Sequence, residues 1–236
     1  MAENPIIVAL DMNAEDALAL AHELRGRVEW LKVGMTLFYA EGPDIVARLG
    51  ELGFRVFLDL KLHDIPHQVA GAAAAIGRLG VGMFTVHASG GSSMMTAAVL
   101  SSRRAAEEAG LDEPAVLAVT VLTSTDDSGL VEVGVERSAA EQVALLAGLA
   151  RDAGVDGVVC SPQEAARMRA LLGDGALVVT PGVRPAWAAV GDQARVATPA
   201  QALAAGASHL VIGRPITEAP VPSQAASRIA DEIRGA

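Results

Sequence analysis

Eight short apolar runs, mostly rich in β-branched residues, recur along the chain, and each is followed by a stretch that can form a helix. The predicted strands are residues 6–11, 30–34, 56–61, 83–88, 115–122, 157–160, 177–182 and 209–214. Strands that alternate with helices form parallel sheets, and eight such units predict a (β/α)8 TIM barrel, one domain spanning residues 1–236. A doubly wound sheet is the main alternative, but no GxGxxG loop follows the first strand.

Helix boundaries support this interpretation. In the first unit Asn13 is a suitable N-cap, and Gly26 can end the helix that follows it. Pro43 and Pro66 stand where the first turn of two later helices is expected.

Composition narrows the class of protein. Apolar residues make up 51% of the chain and aromatic residues only 3%, so the core must consist of Ala, Val, Leu and Ile, as in buried parallel sheets. The formal charge of −10, without a basic run, argues against a nucleic-acid partner. The single cysteine, Cys160, excludes an intramolecular disulfide and a cysteine-based metal cluster. Neither an export signal nor an apolar run near the ~18 residues of a membrane span is evident, which predicts a soluble cytoplasmic protein.

Polar residues collect at or just beyond the carboxyl ends of the predicted strands. They are Asp11, Lys32, Asp59, Lys61, Thr123, Arg184, Gly213 and Arg214. In barrel enzymes this end carries the active site. Structural salt bridges would not need to converge on the same end of so many strands, so we favour a functional site.

The charged stretch FLDLKLHDIPHQ, residues 57–68, is the most informative segment. Side chains alternate along a strand, so Asp59 and Lys61 should project from the same side, with Asp64 in the loop beyond. If Lys32 also points inward, two lysines and two aspartates alternate in one site. Such a network suits an enzyme that destabilises a bound anion, stabilises a carbanion and protonates it. The alternative is an ordinary buried ion-pair network.

A second group of residues predicts phosphate binding. The amide of Gly213 and the guanidinium of Arg214 can both hold phosphate oxygens, and Arg184 follows another strand. The segment 183–197 is long for a barrel loop and is a candidate lid over an anion. Taken singly, a surface arginine and a capping glycine explain these residues equally well.

The histidines near the charged stretch do not predict a metal site. His63 and His67 flank Asp64, but further convergent ligands are not obvious, so we expect a local structural role and no bound metal. His87 ends the fourth strand on the same rim, so it could line the floor of the site, but a core histidine is the stronger expectation.

Several longer motifs carry a resemblance to a known family. They are VALD (8–11), LKVG (31–34), FLDLKLHDIP (57–66), TVHA (85–88), VTVLTS (119–124), TPGVRP (180–185), GDQARVATPAQAL (191–203) and VIGRPIT (211–217). Together they resemble the orotidine 5′-monophosphate decarboxylase family of the bacterial type, nearly from end to end. The resemblance implies a barrel of the ribulose-phosphate-binding kind that removes CO2 from C6 of the pyrimidine without a cofactor and gives uridine 5′-monophosphate.

The resemblance also implies roles for residues. Lys61 would protonate C6, Asp59 would lie beside the departing carboxylate, and Lys32 and Asp11 would bind ribose hydroxyls and orient the charged network. The remaining contacts would be made to the base by Thr123 and Pro181, and to the phosphate by Arg184, Gln193, Gly213 and Arg214.

A homodimer is part of the same implication. Asp64 would enter the neighbouring subunit's site as a catalytic residue, accompanied by Ile65. After DIP the family usually carries Asn-Thr, whose threonine reaches the neighbour's ribose, whereas this chain has His67 and Gln68. Gln68 can still donate a hydrogen bond, but its longer side chain requires a different geometry.

Two other functions compete with this hypothesis. A metal-dependent sugar-phosphate decarboxylase or aldolase shares the barrel and the DxKxxD strand end, yet it needs acidic metal ligands beside the second strand, where LKVG stands. A non-catalytic nucleotide-binding barrel would keep the phosphate site and have a broken Asp-Lys-Asp set. Here the set, Asp59, Lys61 and Asp64, is intact.

Overall fold

The strands close into a parallel barrel in the order in which they occur along the chain, and the first strand pairs with the last. A computed structural model describes residues 4–188 and 197–235. The strands are β1 (Ile6–Ala9), β2 (Trp30–Gly34), β3 (Arg55–Leu62), β4 (Met83–His87), β5 (Ala115–Val119), β6 (Gly157–Val159), β7 (Leu177–Pro181) and β8 (His209–Ile212). The predicted (β/α)8 barrel is therefore confirmed.

Helices cover the outside of the barrel. They are α1 (Ala14–Leu24), α2 (Met35–Glu41), α3 (Asp44–Glu51), α4 (Pro66–Gly77), α5 (Ser92–Ala109), α6 (Asp127–Glu132), α7 (Ala139–Asp152), α8 (Ala165–Leu172), α9 (Pro199–Ala204), α10 (Arg214–Thr217) and α11 (Pro222–Arg234). A short 3-10 turn, Ala88–Gly90, precedes α5. Among the described residues, no helix is both long and apolar enough to cross a membrane.

Local sequence signals set the helix starts as predicted. The Asn13 side chain accepts a hydrogen bond from the Asp16 amide at 2.9 Å and caps α1. Pro66 is the first residue of α4, where its missing N–H costs nothing. Pro43 stands one position earlier than predicted, because α3 begins at Asp44.

The strands divide the apolar residues into two layers. Every second strand residue, such as Ile6 and Val8 in β1, packs outward against the helices in the larger core cluster. The intervening residues fill the inside of the barrel. These inward residues are Ile7, Ala9, Trp30, Phe57, Met83, Leu117, Val179 and Val211. This alternation also determines which polar residues face inward near the carboxyl ends of the strands.

Six strands end one to three residues earlier than predicted, and at two of these ends a predicted site residue lies beyond the strand. β1 ends at Ala9, so Asp11 lies in the loop beyond the strand. β8 ends at Ile212, and Arg214 is the first residue of α10. Both residues nevertheless lie at the carboxyl end of the barrel, so the candidate site remains at the end of the barrel that the sequence predicts.

Candidate active site

Four charged side chains form a continuous series of ion pairs at the carboxyl ends of β1 to β3. The Nζ atom of Lys32 lies 3.1 Å from Oδ1 of Asp11 and 3.6 Å from Oδ2 of Asp59. The Nζ atom of Lys61 lies 2.8 Å from Oδ1 of Asp59. We call Asp11, Lys32, Asp59 and Lys61 the charged network. Two lysines and two aspartates alternate, as predicted, but within one chain the second aspartate is Asp11 rather than Asp64.

Burial differs between the two aspartates of the charged network. The Asp11 side chain is 68% exposed, whereas that of Asp59 is 13% exposed. Burial alone would raise the pKa of Asp59, but the charges of Lys32 and Lys61 and hydrogen bonds from Lys61 and Thr85 lower it below the usual value. Asp59 is therefore a carboxylate at neutral pH, held between two ammonium groups.

The backbone departs from regular strand geometry at Lys61. Its φ angle is +54°, and among the described residues no other non-glycine residue has a positive φ angle. The pairing of β3 with β4 shifts register between Leu58 and Leu62, so Lys61 lies inside a bulge. Simple alternation brought Asp59 and Lys61 together in the prediction, whereas the structure joins them through this irregular backbone.

Thr85 holds the bulge and was not among the predicted site residues. Its hydroxyl accepts a hydrogen bond from the main-chain N–H of Lys61 at 2.8 Å and donates one to Oδ1 of Asp59 at 3.0 Å. A polar residue at an inward position, two residues after Met83 in a strand that is otherwise largely apolar, is the sequence signal that could have identified it.

Residues 63–68, which follow β3, are all exposed within one chain. The Asp64 carboxylate accepts a hydrogen bond from the main-chain N–H of Ile65 at 2.6 Å. Gln68 lies in the first turn of α4, and Ile65 is 62% exposed. The structure therefore places these three predicted site residues on the surface beside the charged network rather than within it.

Residues predicted to contact the base and the phosphate lie at and beyond the end of β7. Pro181 ends β7, and Arg184 is buried just beyond it. Val183 pairs with Ala197, and the N–H of Arg184 donates to the carbonyl of Ala197 at 3.0 Å, so the two ends of the segment 183–197 are joined. Gln193 lies outside the described residues.

The remaining predicted residues are also at the carboxyl end. Gly213 connects β8 to α10, and Arg214 begins that helix with an exposed side chain. Thr123 is exposed in the turn that follows β5. These residues therefore lie at the same end of the barrel as the charged network.

His87 differs from its prediction as a core histidine. It ends β4, is only partly buried, and its ring centroid lies 5.4 Å from that of His63. Burial lowers the pKa of His87, the charges of His63 and Lys61 lower it further, and Asp59 opposes them. Within residues 4–188 and 197–235, no group of three or more His, Cys, Asp or Glu side chains is arranged to hold a metal ion.

A closed parallel barrel with a charged network at the carboxyl ends of its strands has the architecture of a barrel enzyme. Residues 4–229 match the family model described as "Orotidine 5'-phosphate decarboxylase / HUMPS family", and the chain belongs to this family.

Individual proteins agree with the family assignment. The chain is 54% identical over 234 residues to an orotidine 5'-phosphate decarboxylase of Alkalilimnicola ehrlichii, covering 99% of this chain and 97% of the relative. It is 50% identical over 231 residues to one of Paramagnetospirillum magneticum, covering 98% of each chain. The crystal structure of the orotidine 5'-phosphate decarboxylase from Lactobacillus acidophilus superposes with a TM-score of 0.87 at 42% identity, covering 98% of this chain and 99% of that one.

Proposed function

We propose that the protein decarboxylates orotidine 5′-monophosphate to uridine 5′-monophosphate and CO2 without a cofactor, the last step of de novo synthesis of this nucleotide. The observation that carries the proposal is the placement of Asp59, a buried carboxylate whose Oδ1 lies 2.8 Å from the Lys61 ammonium. The family and the names of close relatives support the same reaction.

The charged network provides the chemistry for this reaction. A substrate carboxylate bound beside Asp59 meets a like charge that cannot readily be neutralised, and loss of CO2 removes that repulsion. The C–C bond breaks with its electron pair left on C6, and the Lys61 ammonium stabilises this carbanion. Lys61 then donates its proton to C6 and becomes a neutral amine. Lys32 stays paired with both aspartates and fixes the position of Asp59 during the reaction.

The residues around the entrance would bind the rest of the nucleotide. Asp11 and Lys32 bind the ribose hydroxyls, while Thr123 and Pro181 contact the base. The phosphate is held by Arg184, Gln193, Gly213 and Arg214. We propose that the segment 183–197 closes over the phosphate, which is consistent with the pairing of its two ends. The binding energy of these phosphate contacts would help to assemble the site around C6.

A homodimer completes the proposed site, with Asp64 and Ile65 of each subunit entering the site of the other and Gln68 reaching its ribose. Two features of one chain support it. Residues 63–68 are exposed beside the charged network, and two large apolar side chains, Met35 (47%) and Ile65 (62%), are exposed just beyond the carboxyl ends of β2 and β3. A cytoplasmic location stays a prediction from the sequence.

Subunit mixing tests the dimer directly. If Asp64 acts across an interface, then mixed dimers of Lys61→Ala and Asp64→Ala subunits contain one site with both substitutions and one site with neither. Random exchange then restores about a quarter of the wild-type activity from two inactive proteins, since half the dimers are mixed and each has one intact site of two. Mixtures that stay inactive after denaturation and refolding together would contradict a shared site.

A metal-dependent sugar-phosphate enzyme is the second candidate, because such enzymes share the barrel and the DxKxxD strand end, which this chain carries at Asp59, Lys61 and Asp64. Against it, the second strand carries Lys32, whose ammonium pairs with Asp11 and Asp59. A cation at this position repels a metal ion rather than binding it. The relatives reported above share about half of their residues with this chain and are named decarboxylases.

One experiment separates the two candidates. Purified protein is mixed with orotidine 5′-monophosphate in EDTA, and the fall in ultraviolet absorbance is followed while the product is identified by chromatography. Turnover that EDTA does not change is expected. Turnover that requires added Mg²⁺, or activity only toward a sugar phosphate, would overturn the proposal.

A further inference from the structure

The buried hydroxyl of Thr85 links the two charged residues on which the proposed reaction depends. Thr85 is fully buried in β4 and occupies the next inward position after Met83. One hydroxyl bonds the main chain of Lys61 and the carboxylate of Asp59, so it makes both an accepted and a donated hydrogen bond. A buried threonine needs only one partner to satisfy its hydroxyl, and the second bond here goes to a charged group.

We propose that Thr85 is a positioning residue for the Asp59–Lys61 pair, an inference that rests on the proposed function. Its hydroxyl holds the Lys61 backbone in the left-handed region and orients Oδ1 of Asp59 toward the Lys61 ammonium. Thr85 thereby fixes both ends of the 2.8 Å ion pair with one atom. Because its side chain has no exposed surface, Thr85 acts through its neighbours and does not touch substrate.

The bulge in β3 explains why a side chain is needed here. The register shift between Leu58 and Leu62 interrupts the regular pairing with β4 around Lys61. Within this interruption the N–H of Lys61 donates to the Thr85 hydroxyl, a side chain of the neighbouring strand. A lysine at φ +54° is held in a conformation that L-residues rarely adopt, so it needs such a partner to persist.

Removal of the hydroxyl should release both groups. The Lys61 N–H would lose its acceptor, the backbone could relax toward extended geometry, and the ammonium would move with it. Asp59 would lose one of the donors that stabilise its charged form, although Lys32 and Lys61 would still face it from β2 and β3. Asp11 lies on the far side of Lys32, and β4 itself carries one titratable group, His87. The expected result is a misplaced but still charged pair.

Three substitutions separate the hydroxyl from the volume of the side chain. Thr85→Val keeps the shape and removes the hydroxyl, whereas Thr85→Ser keeps the hydroxyl and removes the methyl group. Thr180→Val is the matched control, since Thr180 is also fully buried and its hydroxyl donates to a main-chain carbonyl, that of His209, at 3.4 Å, and not to a charged group of the network. If Thr85→Val fails to fold, Thr85→Ala compared with Thr85→Ser makes the same test.

Steady-state kinetics with orotidine 5′-monophosphate give the first readout. Loss of a hydrogen bond to a charged group should lower kcat of Thr85→Val about 10- to 100-fold, with KM within about threefold of wild type. Thr85→Ser and Thr180→Val should keep kcat within about threefold. A Thr85→Val protein with kcat within threefold of wild type, or an equal loss in Thr85→Ser, would overturn the inference.

A crystal structure of Thr85→Val gives a readout that does not depend on activity. We expect Lys61 to leave the left-handed region and its Nζ to move away from Oδ1 of Asp59. An unchanged Lys61 backbone would overturn the inference even if kcat fell. Wild-type protein that fails to turn over orotidine 5′-monophosphate would instead refute the proposed function, and the crystal structure would still decide the role of Thr85.

Discussion

The inside of the barrel has two regions built on the same strands. We call Trp30, Phe57 and Met83 the floor, and Lys32, Asp59 and Thr85, each two residues further along the same strand, the mouth. The floor is apolar and buried, with Arg55 stacked 4.1 Å above the Trp30 ring and His209 against its edge. The mouth is polar and charged. Thus a single step of two residues on each of three strands changes a packed core into a reactive site.

The strand β3 shows what this difference requires of the backbone. Its floor half, up to Leu58, pairs regularly with β4, whereas its mouth half contains the register shift and the left-handed Lys61. Regular pairing is sufficient where side chains only have to pack. Irregular backbone appears where two charges must meet at a set distance, as expected when strain is concentrated at functional sites.

The largest expected effect comes from the centre of the charged network. Asp59→Asn keeps the shape but removes the charge between Lys32 and Lys61, so we expect kcat to fall at least about 100-fold. Steady-state turnover of orotidine 5′-monophosphate measures it. Asp152→Asn, which disrupts an exposed ion pair on α7, is the control and should leave kcat unchanged. Equal activity in both variants would mean that the mouth is a structural ion-pair network.

A substitution in the floor should reverse the pattern. Trp30→Ala removes a buried aromatic ring and should lower the free energy of unfolding by about 3–5 kcal/mol, measured by urea titration. The protein that remains folded should keep kcat within about threefold. A loss of kcat as large as that of Asp59→Asn, with stability unchanged, would contradict the division between floor and mouth.

Two glycine substitutions test the packing around the floor more finely. A Cβ at Gly82 would lie 2.6 Å from the Trp30 ring, so Gly82→Ala should destabilise the fold by about 1–3 kcal/mol. A Cβ at Gly148, in the middle of α7, meets no atom within 4 Å, so Gly148→Ala should stabilise the fold by about 0.5–1 kcal/mol. The urea midpoint of each variant checks these signs, and equal shifts would show that contact with Trp30 is irrelevant.

The smallest expected effect concerns pH at the edge of the mouth. The pKa of His87 is lower in the folded protein than its usual value of 6.5, so the folded state resists protonation more than the unfolded chain does. As the pH falls, the unfolded chain takes up a proton at His87 before the folded protein does, so the free energy of unfolding decreases. Between about pH 7.5 and about pH 5.5, the urea midpoint of wild type should fall more than that of His87→Gln. Parallel curves would contradict this assignment.

Much of this architecture could be predicted from the sequence, because alternating apolar periodicities and helix caps are local signals. All eight strands follow from such patterns, whereas Asp59 and Lys61 meet through a bulge and not through the simple alternation that the sequence predicts. The inward polar position of Thr85 is visible in the sequence, but its bonds to Lys61 and Asp59 could not be predicted, since they depend on a register shift between two strands that no local pattern reports. Asp11 was expected at the end of a strand but lies beyond it, because pairing of β1 stops at Ala9.

The claim that Lys61 delivers the proton to C6 is the centre of this account, and the turnover of Lys61→Ala tests it most directly. The variant and the wild type are compared for kcat with orotidine 5′-monophosphate, and calorimetric binding of uridine 5′-monophosphate verifies that both are folded and retain the nucleotide site. We predict a loss of kcat of at least about 1,000-fold with product binding preserved. A Lys61→Ala protein with wild-type kcat would contradict the mechanism.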